Sequence, residues 1–139
     1  MKDLLEQLTR AQQHHLVDQV MENEAIAREF GVSLAELQLL HLLVLRPDIV
    51  AAQQVVKVTA LPSSTVSDML ERLERLGFVE RQRDPKDRRR WVITLTEQCQ
   101  HIAQRYTTSE MGRRMNVAVD EMTPDEIETV LRYFTRLIA

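Results

Sequence analysis

From Val66 to Leu76 the apolar residues Val66, Met69, Leu70, Leu73 and Leu76 recur at helical spacing, and at Gly77 that period stops. A period of two replaces it at once. In "FVERQ", Phe78 and Glu80 alternate with Val79 and Arg81; in "RWVITL", Trp91, Ile93 and Leu95 alternate with Val92 and Thr94. Gly77 stands where a left-handed helix C-cap belongs, so the chain must leave the helix and enter a strand with almost no linker. The two strands are joined by "RDPKDRRR", which makes a hairpin with a long charged tip. An amphipathic helix feeding directly into a hairpin admits few architectures.

The rest of the chain reads as helix. Three glycines (Gly31, Gly77 and Gly112) and four prolines are all that punctuate 139 residues. A first helix is expected from about Asp3 to Glu29, with Leu4, Leu5, Leu8, Ala11, Leu16, Val20 and Ala27 as its apolar stripe and Gly31 as its stop. "SLAE" opens a second through a Ser33–Glu36 capping box, and Leu37, Leu40, Leu43 and Val44 give it a buried face up to Arg46-Pro47. Residues 51–59 make a short third helix without a polar cap, and "ALP" separates it from the fourth, which opens at "SST". Thr96 is expected to cap a fifth helix reaching about Glu121, with Gly112 a weak point in it. "TPDE" starts the sixth: Thr123 at the N-cap, Pro124 at N1 and Glu126 at N3, followed by Ile127, Val130, Leu131, Phe134, Leu137 and Ile138. The expectation is a mainly α chain of six helices with one small β-hairpin.

The net charge of -3 hides an uneven distribution. Residues 72–90 hold eight of the 18 basic residues and only four of the 21 acids, so that stretch carries +4 and the remainder -7. The overall charge is therefore the wrong guide to a polyanionic partner. One cysteine, Cys99, excludes an intramolecular disulfide framework. The longest apolar run, "LQLLHLLVL", falls short of the roughly 18–20 residues that span a bilayer, and the residues after Met1 lack a signal-peptide apolar region. A soluble cytoplasmic protein of one domain is expected.

Two helices across a tight turn, then a hairpin with a basic tip, is the order of a winged helix-turn-helix. Short hydroxyl side chains at the start of the fourth helix suit phosphates and base edges in a DNA major groove. The basic tip suits the adjacent minor groove, whose narrow A·T-rich form concentrates negative potential. The candidate contacts are Ser63, Ser64, Thr65, Ser67, Asp68 and Arg72 on the helix, and Arg83, Lys86, Asp87, Arg88, Arg89 and Arg90 on the wing. Asp68 is read as an i,i+4 partner of Arg72 in preference to an acceptor for a cytosine N4 amino group. Trp91 is read as packing the wing against the body.

The stretch "STVSDMLERLERLGFVERQRDPKDRRRWVITLT" resembles the recognition helix and wing of MarR-family transcriptional regulators, with D-x-R before a strand ending in Leu-Thr as the most specific signature. The helices on either side resemble that family's arrangement too. The resemblance implies an intertwined homodimer, with 1–32 and 97–139 as its helical dimerisation region around a DNA-binding 33–96, the whole forming one compact unit. It implies that Asp87 pairs with Arg89 to brace the wing, that Arg89 enters the minor groove, and that Ser64, Thr65 and Ser67 touch DNA. It further implies repression, relieved when a small aromatic or phenolic effector binds; His15, Leu16, Gln19, Leu40 and Ile102 are the positions expected around such a ligand. The sequence departs from the family at Asp68, often basic or small in relatives, at "VTALP" in place of a Leu-Gly turn, and at Gln98-Cys99 in place of Lys-Gly.

Other function classes are weaker. A winged helix can serve as a protein-interaction module or as an architectural protein that binds DNA without sequence choice. No nucleophile motif, phosphate loop or H-x-x-x-H pair occurs, so no catalytic residue, metal or cofactor is assigned. Cys99 is read as a packed or surface thiol rather than an oxidant sensor.

Overall fold

The computed structural model describes residues 1–139: α1 (Lys2–Phe30), α2 (Leu34–Leu45), α3 (Ala52–Thr59), α4 (Ser63–Arg75), β1 (Val79–Arg83), β2 (Trp91–Leu95), α5 (Glu97–Thr107), α6 (Glu110–Asp120) and α7 (Pro124–Ile138). The strands pair antiparallel, from Val79 opposite Leu95 to Arg83 opposite Trp91. The chain divides into two compact units, Met1–Arg105 and Tyr106–Ala139. Ile26 and Ala27 of α1 and Cys99 and Ile102 of α5 join the core of the central helices.

In the first unit, α2 is the centre. Leu37, Leu39, Leu40 and Leu43 are all buried, as expected of a helix apolar on nearly every side. Val55 of α3, Val66, Leu70 and Leu73 of α4, and Phe78, Val79 and Ile93 of the hairpin close around it. The Ser33–Glu36 capping box is present, with Ser33 Oγ accepting from Glu36 N at 3.1 Å and Ser33 N donating to Glu36 Oε1 at 2.8 Å. At the start of α3 the missing polar cap is supplied from inside the helix. Gln54 Oε1 accepts from the backbone N–H of Val50 (2.8 Å) and of Ala51 (3.0 Å), and its amide donates to Asp48 O.

The helix-to-hairpin switch is built as the sequence suggests. Gly77 takes φ +85°, which a side chain would resist, and Gly77 N and Phe78 N donate to Glu74 O and Leu73 O. The Thr96 hydroxyl then ties the far end of β2 to this corner, donating to Gly77 O at 2.6 Å, while Ile93 N donates to Val50 O at 2.7 Å and pins the hairpin to the α2–α3 loop.

Ala60 ends α3 in the left-handed conformation, φ +56°, ψ +18°. An L-residue there costs roughly 1–2 kcal/mol, part of which a glycine would return in greater unfolded-state entropy. Ala60→Gly is therefore expected to stabilise the fold by about 0.5–1 kcal/mol, read as a rise in the urea midpoint at unchanged slope. A lower midpoint would show that the turn is not strained.

The expected fifth helix is two, so the chain has seven helices. α5 ends at Thr107, and Ser109 caps α6 by accepting from Gly112 N at 3.1 Å. A Cβ on Gly112 would lie 2.4 Å from Tyr106 O and 2.8 Å from Thr107 O, so this glycine lets the first turn of α6 press against the last carbonyls of α5. α7 starts as expected: Thr123 Oγ1 accepts from Glu126 N, Thr123 N donates to Glu126 Oε2 at 2.8 Å, and Pro124 occupies the first turn. No helix is long and apolar enough to cross a membrane.

Candidate nucleic-acid interface

α4 buries Val66, Leu70 and Leu73 and leaves Ser63, Ser64, Thr65, Ser67 and Asp68 exposed. Its N-cap is Pro62, and no side chain caps its first turn. The leading N–H groups are therefore open to an outside acceptor beside three hydroxyls.

Arg72 does not pair with Asp68. Its Nε lies 3.1 and 3.0 Å from the two carboxylate oxygens of Glu36, and its Nη2 donates to Gly31 O at 2.9 Å. Burial alone would raise the pKa of Glu36, but the Ser33 N–H, the Arg72 guanidinium and the Ser33 hydroxyl together hold it below the ordinary value. Sequence alone marked Glu36 as a cap; that the same carboxylate would also receive Arg72, 36 residues away, has no local signal. Asp68 is left exposed with no ion pair.

Two basic residues of the hairpin are likewise committed to structure. Arg81 closes on Glu74 through its backbone N–H (3.0 Å) and its guanidinium (3.2 Å), and that guanidinium lowers the Glu74 pKa. Arg83 lies over the Trp91 ring, 4.2 Å from its centroid, and donates to Arg88 O at 2.9 Å. Trp91 is 49% exposed, so it floors the wing under Arg83 rather than packing the wing against the body. The cause is register: Arg83 and Trp91 are cross-strand partners.

The tip is shaped by its two aspartates. Asp84 Oδ1 accepts from Lys86 N at 2.9 Å and Asp87 Oδ1 from Arg89 N at 3.1 Å, while Asp84 N donates to Arg90 O and Arg90 N to Asp87 O. Asp87 thus braces Arg89 through the backbone, not through its guanidinium. Lys86, Arg88, Arg89 and Arg90 are all exposed and enter no ion pair. Four free cations crown a loop held by bonds from the backbone N–H groups of Asp84, Lys86, Arg89 and Arg90.

Residues 30–90, from the end of α1 to the tip of the wing, match the MarR family. An uncharacterised HTH-type transcriptional regulator of Bacillus subtilis, YcgE, is 34% identical over 83 residues, which is 55% of this chain and 49% of that one. The match thus spans about half the length of the curated relative. Among solved structures, a mutant of MepR from S. aureus superposes with a TM-score of 0.79 at 20% identity, over 96% of this chain and 94% of the other. E. coli MarR in its apo form gives 0.63 at 20%, over 95% and 96%. S. aureus MepR in complex with DNA gives 0.60 at 21%, over 99% and 97%. These likenesses establish a MarR-type winged-helix fold.

The five positions expected around an effector differ in exposure. Leu40 and Ile102 are sealed in the core, Gln19 is half-buried, and His15 and Leu16 are exposed on α1. Cys99 is fully buried, and burial pushes its thiol up to about 11, so little thiolate exists at neutral pH. His14 lies 3.6 Å from Asp18, and His41 is half-buried, which lowers its pKa. No three His, Cys, Asp or Glu side chains converge as a metal site.

Proposed function

We propose that this protein is a homodimeric, sequence-specific DNA-binding transcriptional regulator that represses from a pseudo-palindromic operator. The observation that carries the reading is the set of four unpaired cations on an ordered wing tip, in the same unit as a helix start that presents uncapped N–H groups and hydroxyls. The cations supply the sequence-independent affinity, and the face of α4 supplies the reading of bases. MepR, which shares the fold, was solved bound to DNA, and the B. subtilis relative is named a transcriptional regulator. A second copy is favoured by the apolar residues that α1 and α7 leave exposed. Release by a small aromatic or phenolic effector is part of the same proposal, supported by the family resemblance.

Selection from a randomised duplex pool tests this reading. A two-fold symmetric motif with half-site centres about 10 base pairs apart is expected. Recovery of unenriched sequence would instead make this an architectural protein. Because Arg72 is held by Glu36, Asp68 is free to accept from a cytosine N4 amino group, the contact its chemistry suits. Asp68→Ala should erase a cytosine preference worth roughly 1–3 kcal/mol at one position of each half-site and leave the others intact. A uniform gain in affinity on every sequence would mean that Asp68 only repels phosphates.

A further inference from the structure

One guanidinium joins three helices. Arg72 leaves the third turn of α4, meets the carboxylate that caps the start of α2, and bonds the carbonyl of Gly31 at the end of α1. The Glu36 side chain is only 5% exposed, so this is not a loose surface pair. Apart from the Glu74–Arg81 pair, which ties α4 to the adjoining hairpin, the remaining hold on α4 comes from Val66, Leu70 and Leu73, apolar contacts that resist separation but have little directional preference. A charge-assisted contact from a planar guanidinium is directional, and a third bond to a backbone carbonyl fixes where along the helix it acts.

We propose that Arg72 is a positioning residue: through Glu36 and Gly31 it sets the angle and depth at which α4 is presented, and it makes no contact with DNA itself. The inference rests on the DNA-binding reading above and removes Arg72 from the contact residues expected from sequence. It also gives α1 a direct mechanical link to the reading helix, through the carbonyl at its C-cap.

The experiment compares the full-length protein with Arg72→Gln, Arg72→Lys and Glu36→Gln on the selected operator and on a scrambled duplex, over a range of salt concentrations. Glutamine at 36 can keep the helix cap, since its amide oxygen can accept from Ser33 N, so that variant isolates the clamp from the fold. If Arg72 positions the helix, all three variants weaken operator binding by roughly tenfold or more, as for the loss of one well-made base contact. The dependence of log affinity on log salt stays at the wild-type slope, and binding to the scrambled duplex hardly changes. Lysine does not rescue, because one ammonium cannot span Glu36 and Gly31 together.

If instead Arg72 touches phosphate, Arg72→Gln lowers the salt slope by about 1 and weakens both duplexes alike. Glu36→Gln would then tighten binding by releasing the arginine. Either result overturns the inference. A wild-type protein without sequence preference would overturn the functional reading instead. The clamp would then be judged by amide hydrogen exchange in α4: faster exchange in Glu36→Gln supports it, and unchanged exchange overturns it. Should Arg72→Gln fail to fold, Glu36→Gln carries the same test with the same opposite outcomes.

Discussion

Phe134→Asp combined with Leu137→Asp is expected to convert the proposed dimer into a monomer and to abolish operator binding. α7 is strongly amphipathic, yet none of its residues is buried in the single chain: Leu131 is 64% exposed, Phe134 51% and Leu137 54%. α1 has the same character. Its buried residues are Asn23, Ile26 and Ala27, all near its C-terminal end, while Leu4, Leu5, Leu8, Leu16, Val17 and Val20 face solvent. Helices draw most of their stability from packing an apolar face, and exposed apolar patches of this kind mark association surfaces. Burying a Phe or Leu side chain contributes roughly 1.5–3 kcal/mol, and the double variant removes four such side chains from a symmetric interface. The expected loss is roughly 6 kcal/mol or more, which raises the dissociation constant by a factor of about 10⁴. Sedimentation velocity reads it directly; a double variant that remains dimeric would place the interface elsewhere.

Arg89→Ala is expected to weaken operator binding by roughly 1–3 kcal/mol with the fold intact. The Arg89 backbone N–H is held by the Asp87 carboxylate, and its guanidinium is in no ion pair, so it is open to a partner. Arg83→Ala is the contrast. That guanidinium is spent on the Trp91 ring and the Arg88 carbonyl, so its loss should loosen the wing more than it removes a DNA contact. Parallel titrations of the two variants read the difference. Equal affinity of Arg89→Ala and wild type would show that the tip does not enter a groove.

Features that depend on neighbours in sequence were legible in it. The Ser33–Glu36 and Thr123–Glu126 boxes, the turn at Gly77 and the split of α4 into a buried and a hydroxylated face follow from spacing within one or two turns. What escaped depends on distant partners. Arg72 had an acid at i-4 in Asp68 and a better one in Glu36, whose position only the packing of α2 on α4 decides. Trp91 and Arg83 meet because the hairpin register aligns them, and Gly112 marks a break rather than a weakness because the Tyr106 carbonyl sits where its Cβ would be. An apolar helix face in sequence does not distinguish the lining of a cavity from a filled core.

Sequence-specific binding is read by fluorescence anisotropy of the purified protein on duplexes tiled from the DNA upstream of its own coding sequence, against a scrambled duplex, at two salt concentrations. One tile is expected to be preferred by roughly 10³-fold or more, with affinity for all duplexes falling as salt rises. Equal binding to every tile, or no binding at low salt, would rule out a sequence-specific regulator.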